Sequence, residues 1–384
     1  MNILHVIPTF NPEHPFGGSQ SYVDMITAQL SNRKHIVTIY TSDMQGTAQK
    51  LKAPCDMDKE RRVVRCRNLS TRLTRYTRLI VTPHLVPLLE ATADRFEVIH
   101  VHGGRGFQHV AVWYAARRAC VPYIIQPHGD FADYYSGMFR RFYDRFFGTQ
   151  ILRGAGRIVA LNSFEASQCV QHGVQKRKIR IVPNGINLQE FTGLKKGRFR
   201  HKVGIDTNTK ILLFLGRIHP VKGLDILLKS LFVVRKARND VILVVAGPDD
   251  GDLARCSRLA QTLGLEANVR FIGPIFGREK LDALADADLY VLPSRYETFS
   301  IGLLEAYASG TAVVATAVGG NQELIVDGAT GVLATKPDYH MFADALLRAI
   351  PKSETMGKKA RSYVHRFDIA ETAGILESVY LELG

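Results

Sequence analysis

The chain has 384 residues, 46% of them hydrophobic and 22% charged, and carries a net charge of +14. That length exceeds one ordinary core and suits two domains of roughly 150–200 residues each. The composition excludes long disorder, and no stretch approaches the roughly 20 apolar residues of a transmembrane helix.

The start, Met1-Asn2-Ile3-Leu4-His5-Val6-Ile7-Pro8, has no basic region before its short apolar run, so no signal peptide is expected there. The expected location is cytoplasmic, or peripheral on the inner face of the cell membrane. Five scattered cysteines form no C-x-x-C pair, which reads as reduced, mostly buried thiols rather than a zinc site. Short β-branched runs then alternate with amphipathic segments of helix length, the pattern of βαβ units and parallel sheets. Strands are predicted at 3–8, 36–40, 63–65, 98–102, 123–126, 158–160 and 179–182. Helices are predicted near 19–31, 85–94, 107–119, 137–152 and 164–172. Pro183-Asn184-Gly185-Ile186-Asn187 breaks the series, and a hinge is expected near 184–190.

A second series follows a basic, strand-poor stretch at 195–210. Its strands are predicted at 211–215, 241–246, 269–272, 289–292, 313–315 and 331–333, with helices near 223–236, 252–263, 278–286, 301–309 and 339–350. The expected fold class is α/β, two doubly wound Rossmann-like domains facing across a cleft. The expected division is 1–185 with a C-terminal helix at about 367–384, and 186–366.

Three segments carry chemistry. Phe16-Gly17-Gly18-Ser19 leads from the first strand into a helix, where close backbone approach and free N–H groups suit an anion; a plain tight turn is an equal reading. Gly216-Arg217-Ile218-His219-Pro220-Val221-Lys222-Gly223 sets Arg217 and Lys222 between a strand end and a helix start. There two cations can neutralise a leaving diphosphate, or simply be solvated loop charges. Glu297-Thr298-Phe299-Ser300-Ile301-Gly302-Leu303-Leu304-Glu305 offers Ser300 as a helix cap and Glu305 one turn inside the helix, leaning toward its N-terminus. Capping and surface ion pairs are the competing account of those two glutamates. No H-E-x-x-H or D-x-D marks a metal site.

These blocks are similar to those of the retaining GT-B glycosyltransferases of family 4, which pair a strand-end G-R-x-x-x-x-K-G with a later E-x7-E. Val182-Pro183-Asn184-Gly185-Ile186-Asn187, the run Gly319 to Gly328 with Gly331, and Gln126-Pro127-His128-Gly129 resemble further family segments, so the resemblance spans essentially the whole chain. It implies transfer of a hexose-type sugar from a UDP- or GDP-sugar with retention of configuration, without metal or other cofactor. Arg217 and Lys222 are implied on the diphosphate, Glu305 on the ribose, and Glu297 with the Phe299–Ile301 backbone on the sugar. His128 is implied beside the transferred sugar. The Gly273-Pro274-Ile275 loop is implied at the base, Gly18 at the phosphate or acceptor, and Gly216 at the donor. Ser300 and Asn187 depart from the family's usual Gly and Asp; a hydroxyl at 300 would narrow the sugar pocket. Closure of the two domains is expected before chemistry.

The charge is uneven. Residues 1–190 hold 25 Lys and Arg against 14 Asp and Glu, a balance of +11, whereas 191–384 hold 25 against 22, a balance of +3. Arg61, Arg62, Arg65, Arg67, Arg72, Arg75 and Arg78 crowd one stretch, followed by an apolar run to Leu89. Arg140 and Arg141 lie among aromatics at 139–147. Cations beside apolar side chains suit an anionic membrane surface and a lipid-linked or cell-surface glycan precursor as acceptor; a solvated face over a buried stripe is the alternative. The rival functions are a soluble small-molecule glycosyltransferase and a basic nucleic-acid-binding protein. The latter lacks any recognised motif, so no nucleic-acid partner is expected.

Overall fold

The computed structural model describes residues 1–11, 18–45, 49–50, 55–58, 61–77, 79–131 and 143–383. The chain divides into two compact units, Met1–Gly185 with Ile369–Gly384, and Ile186–Asp368.

Unit 1 is built on an eight-stranded sheet. Its spatial order is Ile179–Ile181, Arg157–Ala160, Tyr123–Gln126, Val98–His102, Asn2–Val6, Ile36–Ser42, Arg61–Cys66 and Cys55–Asp58. Seven strands are parallel; Cys55–Asp58 pairs antiparallel with Arg61–Cys66 at the edge. The central strands Asn2–Val6 and Val98–His102 are buried at every position but Asn2, as sheets covered on both faces require. The chain builds outward from Asn2–Val6 in one direction, then returns and builds from Val98–His102 in the other. Those two strands define the topological switch point, beyond whose carboxyl ends ligands bind in such sheets. The C-terminal helix Ile369–Leu381 packs on helix Gly18–Asn32 within this unit.

Unit 2 has a six-stranded parallel sheet in the order Val269–Gly273, Val241–Ala246, Lys210–Leu215, Leu289–Leu292, Ala312–Thr316 and Gly331–Ala334. Its switch point lies between Lys210–Leu215 and Leu289–Leu292. Leu212, Phe214, Leu243, Val245, Val291 and Val314 all belong to one core with helix Leu224–Ala237 and helix Tyr339–Ala349.

Several elements differ from expectation. Cys55–Asp58 was not predicted as a strand because Cys-Asp-Met-Asp is only four residues long and holds no β-branched or aromatic residue; edge pairing with Arg61–Cys66 makes it one. Thr71–Thr77 is a helix, as is Arg198–Val203 inside the strand-poor basic stretch, held by Asp286, which accepts from the amides of Gly197 and Arg200. Of the predicted helix at 137–152, residues 137–142 lie outside the described residues. The remainder is a π-turn over Asp144–Gly148 that passes into helix Thr149–Gly154.

Candidate active site

The G-R-x-x-x-x-K-G block occupies the carboxyl end of strand Lys210–Leu215, at the switch point of unit 2. His219 Nδ1 accepts from the amide of Val221 at 3.1 Å and caps a short 3-10 turn, Pro220–Lys222. Gly223 then takes φ +69° and starts helix Leu224–Ala237. A Cβ on Gly223 would lie 2.0 Å from the carbonyl oxygen of Pro293, backbone that cannot yield without moving the loop after strand Leu289–Leu292. Gly223→Ala is therefore expected to cost about 2–3 kcal/mol through left-handed strain and overpacking, read as a lowered urea midpoint. An unchanged midpoint would refute the packing account of this glycine. Gly247 guards the other side: a Cβ there would meet Gly216 O at 1.9 Å. Neighbouring Gly273 has φ +75°, its carbonyl accepts from Gly247 N at 2.9 Å, and Ile275 just beyond it is buried.

The loop after strand Leu289–Leu292 is tied to that turn. Arg295 donates its amide to Val221 O at 2.8 Å and its guanidinium forks onto Asp225 at 2.7 and 2.9 Å. Glu297 is thereby held against Lys222, with Nζ to Oε2 at 2.6 Å, and its carbonyl accepts from Gly320 N at 3.0 Å. The Gly319–Gly328 block thus supports Glu297 through backbone. Arg217 pairs with Asp250. Both cations expected to meet a diphosphate are therefore held in place by carboxylates, one of which is Glu297.

Ser300 is buried, and its Oγ accepts from Leu303 N at 3.2 Å as the cap of helix Ile301–Ala308. Its hydroxyl is turned onto its own helix. The amides of Ile301 and Gly302 precede the first intrahelical bond and have no partner within the helix. Phe299 and Ile301 are each 8% exposed. Gly302 makes room for Tyr290, whose hydroxyl would lie 2.5 Å from a Cβ at 302. Burial, then the charges of Glu297 and Glu305, push the Tyr290 phenol well up. Glu305 is paired with Lys280 at 2.7 Å. Unit 2 thus assembles Arg217, Lys222, Glu297, Tyr290 and Glu305 around the ends of its two switch-point strands. Asp250 and Lys280 were not singled out in the sequence, because each sits on a different βα segment from its partner and no fixed spacing announces it.

In unit 1, Gly18 is exposed at the start of helix Gly18–Asn32; Phe16 and Gly17 lie outside the described residues. His128 follows strand Tyr123–Gln126 with φ +53°, a conformation uncommon for residues with a side chain. Glu165 fixes that turn. It is fully buried, and its two oxygens accept from Gly129 N at 2.6 Å and Leu161 N at 2.7 Å. Burial nonetheless pushes its carboxyl up to about 7, against the lowering by those two bonds. His128 Nε2 meets His102 Nδ1 at 2.9 Å. His5, His100 and His102 bring ring nitrogens within 4.8 Å of one another. Yet His100 and His102 stack at 4.3 Å and 25°, so their lone pairs lie in nearly parallel planes rather than converging on one ion.

The basic stretch at 61–78 does not act as one surface. Arg61 is 5% exposed and bonds Asp24 Oδ1 at 2.8 Å, with Thr27 Oγ1 at 2.9 Å. Arg65 donates to Phe10 O at 2.7 Å. Strand alternation turns these two toward the helix layer and leaves Arg62 outside. Arg67, Arg72 and Arg75 are exposed, beside Leu69 at 63% and Leu73 at 38% exposure. In the apolar run that follows, Ile80, Leu85 and Leu89 are buried rather than presented. Arg78, Arg140 and Arg141 lie outside the described residues. Arg145, Phe146 and Phe147 are exposed together.

Residues 195–363 match the family model of glycosyl transferases group 1, and residues 17–185 match that of the glycosyl transferase 4-like domain. The D-inositol 3-phosphate glycosyltransferase of Geodermatophilus obscurus is 33% identical over 242 residues, covering 60% of this chain and 53% of its own length. That of Mycolicibacterium smegmatis is 31% identical over 236 residues, covering 60% and 54%. The match spans about half the length of these curated relatives. Among solved structures, Anabaena Alr3699/HepE in complex with UDP and glucose aligns over 100% of both chains with a TM-score of 0.79 at 19% identity. Sucrose-phosphate synthase from Thermosynechococcus elongatus aligns with a TM-score of 0.79 at 21% identity, covering 100% of this chain and 99% of its own. These two share the fold, the paired Rossmann-like sheets of GT-B. The two family models divide the chain as its compact units do, and the matched G-R-x-x-x-x-K-G and E-x7-E blocks fall at the switch point of unit 2; the chain belongs to the glycosyl transferases of group 1, with the GT-B fold.

Proposed function

We propose that the chain is a retaining hexosyltransferase that uses a nucleotide diphosphate sugar, UDP- or GDP-linked, and needs no metal. The observation that supports this most is Lys222 held against Glu297, with Arg217 and the first turn of helix Ile301–Ala308 at the ends of the same two switch-point strands. Breaking the bond from anomeric carbon to phosphate leaves positive charge on the sugar and negative charge on the diphosphate. Arg217 and Lys222 stabilise the departing diphosphate, as preorganised cations do. Glu305 accepts from the ribose hydroxyls, and Glu297 with the Phe299–Ile301 backbone orients the sugar. The departing phosphate oxygen takes the acceptor's proton as the acceptor attacks the same face. His128 contacts the transferred sugar, Gly18 the phosphate or acceptor, and the Gly273–Ile275 loop the base.

The proposed acceptor is anionic and lipid-linked, drawn from a glycan precursor at the membrane's inner face. Exposed Leu69, Leu73, Phe146 and Phe147 beside Arg72, Arg75 and Arg145 supply the apolar and cationic contacts such a surface needs. No helix among the described residues is long and apolar enough to cross a membrane. A second reading, a small phosphorylated acceptor, draws on the relatives named for D-inositol 3-phosphate. The donor is tested with a thermal-shift panel of nucleoside diphosphates and their sugars. A true donor at 100 times its dissociation constant adds about 2.7 kcal/mol of stability, and no shift with any of them would sink the reading. For the acceptor, the chain should float with anionic liposomes and release when Leu73 and Phe146 become Ser. Full activity on a soluble phosphorylated acceptor without flotation would favour the second reading.

A further inference from the structure

Four imidazoles and one phenol of unit 1 form a continuous hydrogen-bonded line. From His128 Nε2 to His102 Nδ1 is 2.9 Å, and from His102 Nε2 to His5 Nδ1 is again 2.9 Å. His5 Nε2 lies 3.4 Å from the Tyr380 hydroxyl, which lies 2.7 Å from His100 Nδ1. The strands explain the grouping: His100 and His102 alternate onto one face, and His5 is the register partner of His100. The line then runs from the C-terminal helix, along one face of the sheet, to the turn that carries His128.

A neutral imidazole has one N–H and one lone pair, and burial holds these rings neutral by pushing each far below its usual value. Each bond needs one proton, so placing one places them all. Either all four rings carry hydrogen on Nδ1, or all four carry it on Nε2. Any mixture would set two lone pairs or two N–H groups against each other, or make the Tyr380 oxygen accept from both neighbours and leave its own buried hydrogen without an acceptor.

The far end distinguishes the two states. His100 Nε2 is buried and has no hydrogen-bond partner among the described residues. In the Nε2–H state it is an orphaned buried donor; in the Nδ1–H state it is a bare lone pair. Among buried backbone groups an orphaned N–H is the rarer fault; either orphan carries a desolvation cost, and by that ranking the bare lone pair is the lesser one. Hydrogen on His100 Nδ1 then donates to Tyr380, Tyr380 donates to His5, His5 Nδ1 to His102, and His102 Nδ1 to His128 Nε2.

We propose that this buried line fixes His128 as the Nδ1–H tautomer, so that it meets the transferred sugar as a hydrogen-bond donor and not as a base. The contact with sugar rests on the proposed function; the tautomer does not. His102, His5, Tyr380 and His100 are positioning residues. Free histidine favours Nε2–H, so four Nδ1–H rings would not arise without such a line.

The test is long-range proton–nitrogen NMR on the full chain labelled with nitrogen-15 at histidine. The expected spectrum shows Nδ1–H at His5, His100, His102 and His128, and His102→Leu returns His128 toward Nε2–H. An Nε2–H or cationic His128 in the wild-type chain would overturn the proposal. Turnover gives an independent readout. His128→Ala should lose about 100-fold in kcat, as for other directed donors. His128→Asn should lose no more than about tenfold, because Asn offers an amide N–H near the Nδ1 position and tolerates the left-handed backbone. Equal losses in both variants would overturn the donor role. If neither variant slows transfer while the Nδ1–H pattern is present, the line stands and the placement of His128 at the sugar falls.

Discussion

Lys222→Ala is expected to lower kcat by about 10²–10³, equivalent to about 2.7–4 kcal/mol of transition-state stabilisation. Lys222 is positioned rather than merely present. The 3-10 turn capped by His219 places it, Gly223 ends that turn, and Glu297 holds its ammonium at 2.6 Å. On the proposed function, that ammonium meets the charge growing on the diphosphate in the transition state. Its loss removes this stabilisation and leaves the Glu297 carboxylate without its cation. Lys222 and Glu297 act as a unit, so the double variant Lys222→Ala/Glu297→Gln should lose less than the sum of the singles, with a coupling of about 0.5–3 kcal/mol. Steady-state rates of the three variants check this. Strict additivity would separate Glu297 from Lys222, and near-normal turnover of Lys222→Ala would remove the lysine from the chemistry.

Mild acid should unfold unit 1. His5, His100, His102 and His109 are at most 1% exposed, and burial lowers all four, His5 to about 3 and His109 to about 4. Arg61 adds to the lowering at His5. A lowered value means that the unfolded chain takes up the proton first. The stability these rings allow is therefore full above pH 6.5 and is lost as pH falls below it. From pH 7 to pH 5 each ring removes about 2 kcal/mol. Glu165, raised to about 7, acts in the opposite sense: the folded chain keeps a proton that the unfolded chain has released. Over the same range it offsets about one ring. Several lowered rings, His128 among them, act against one raised carboxyl, so the net effect is a loss of stability on acidification. Trp113 is the single tryptophan and lies in helix Phe107–Ala119 of unit 1, so its fluorescence reports this unit. The urea midpoint by Trp fluorescence should fall steeply between pH 7 and pH 5. An unchanged midpoint would mean that these rings are protonated, or exposed, in the folded chain.

The sheets were legible because buried parallel strands are written as short β-branched runs with turn residues between them. Val98–His102, Tyr123–Gln126, Val241–Ala246 and Leu289–Leu292 lie where those runs placed them. The site blocks were legible because strand-end glycines and a cation or carboxylate at fixed spacing share one local segment. What stayed hidden depends on partners distant in sequence. Lys280 meets Glu305 from another helix, and Glu165 reaches back to Gly129. Arg61 read as part of a membrane-facing cationic run, yet the two-residue period of its strand turns it inward onto Asp24. The imidazole line needs more than the alternation of His100 and His102 along one strand. Its continuation through His5 needs the strand register, and its end at Tyr380 needs the C-terminal helix to return to unit 1.

The central claim is that unit 2 binds a nucleoside diphosphate at its switch point, with Lys222 on phosphate and Glu305 on ribose. Isothermal titration of the wild-type chain, Lys222→Ala and Glu305→Ala with UDP and GDP tests it most directly. The wild-type chain should bind one of the two at one site per chain, and each variant should weaken that binding at least tenfold, about 1.4 kcal/mol. Binding of neither nucleotide, or equal affinity in all three proteins, would contradict it.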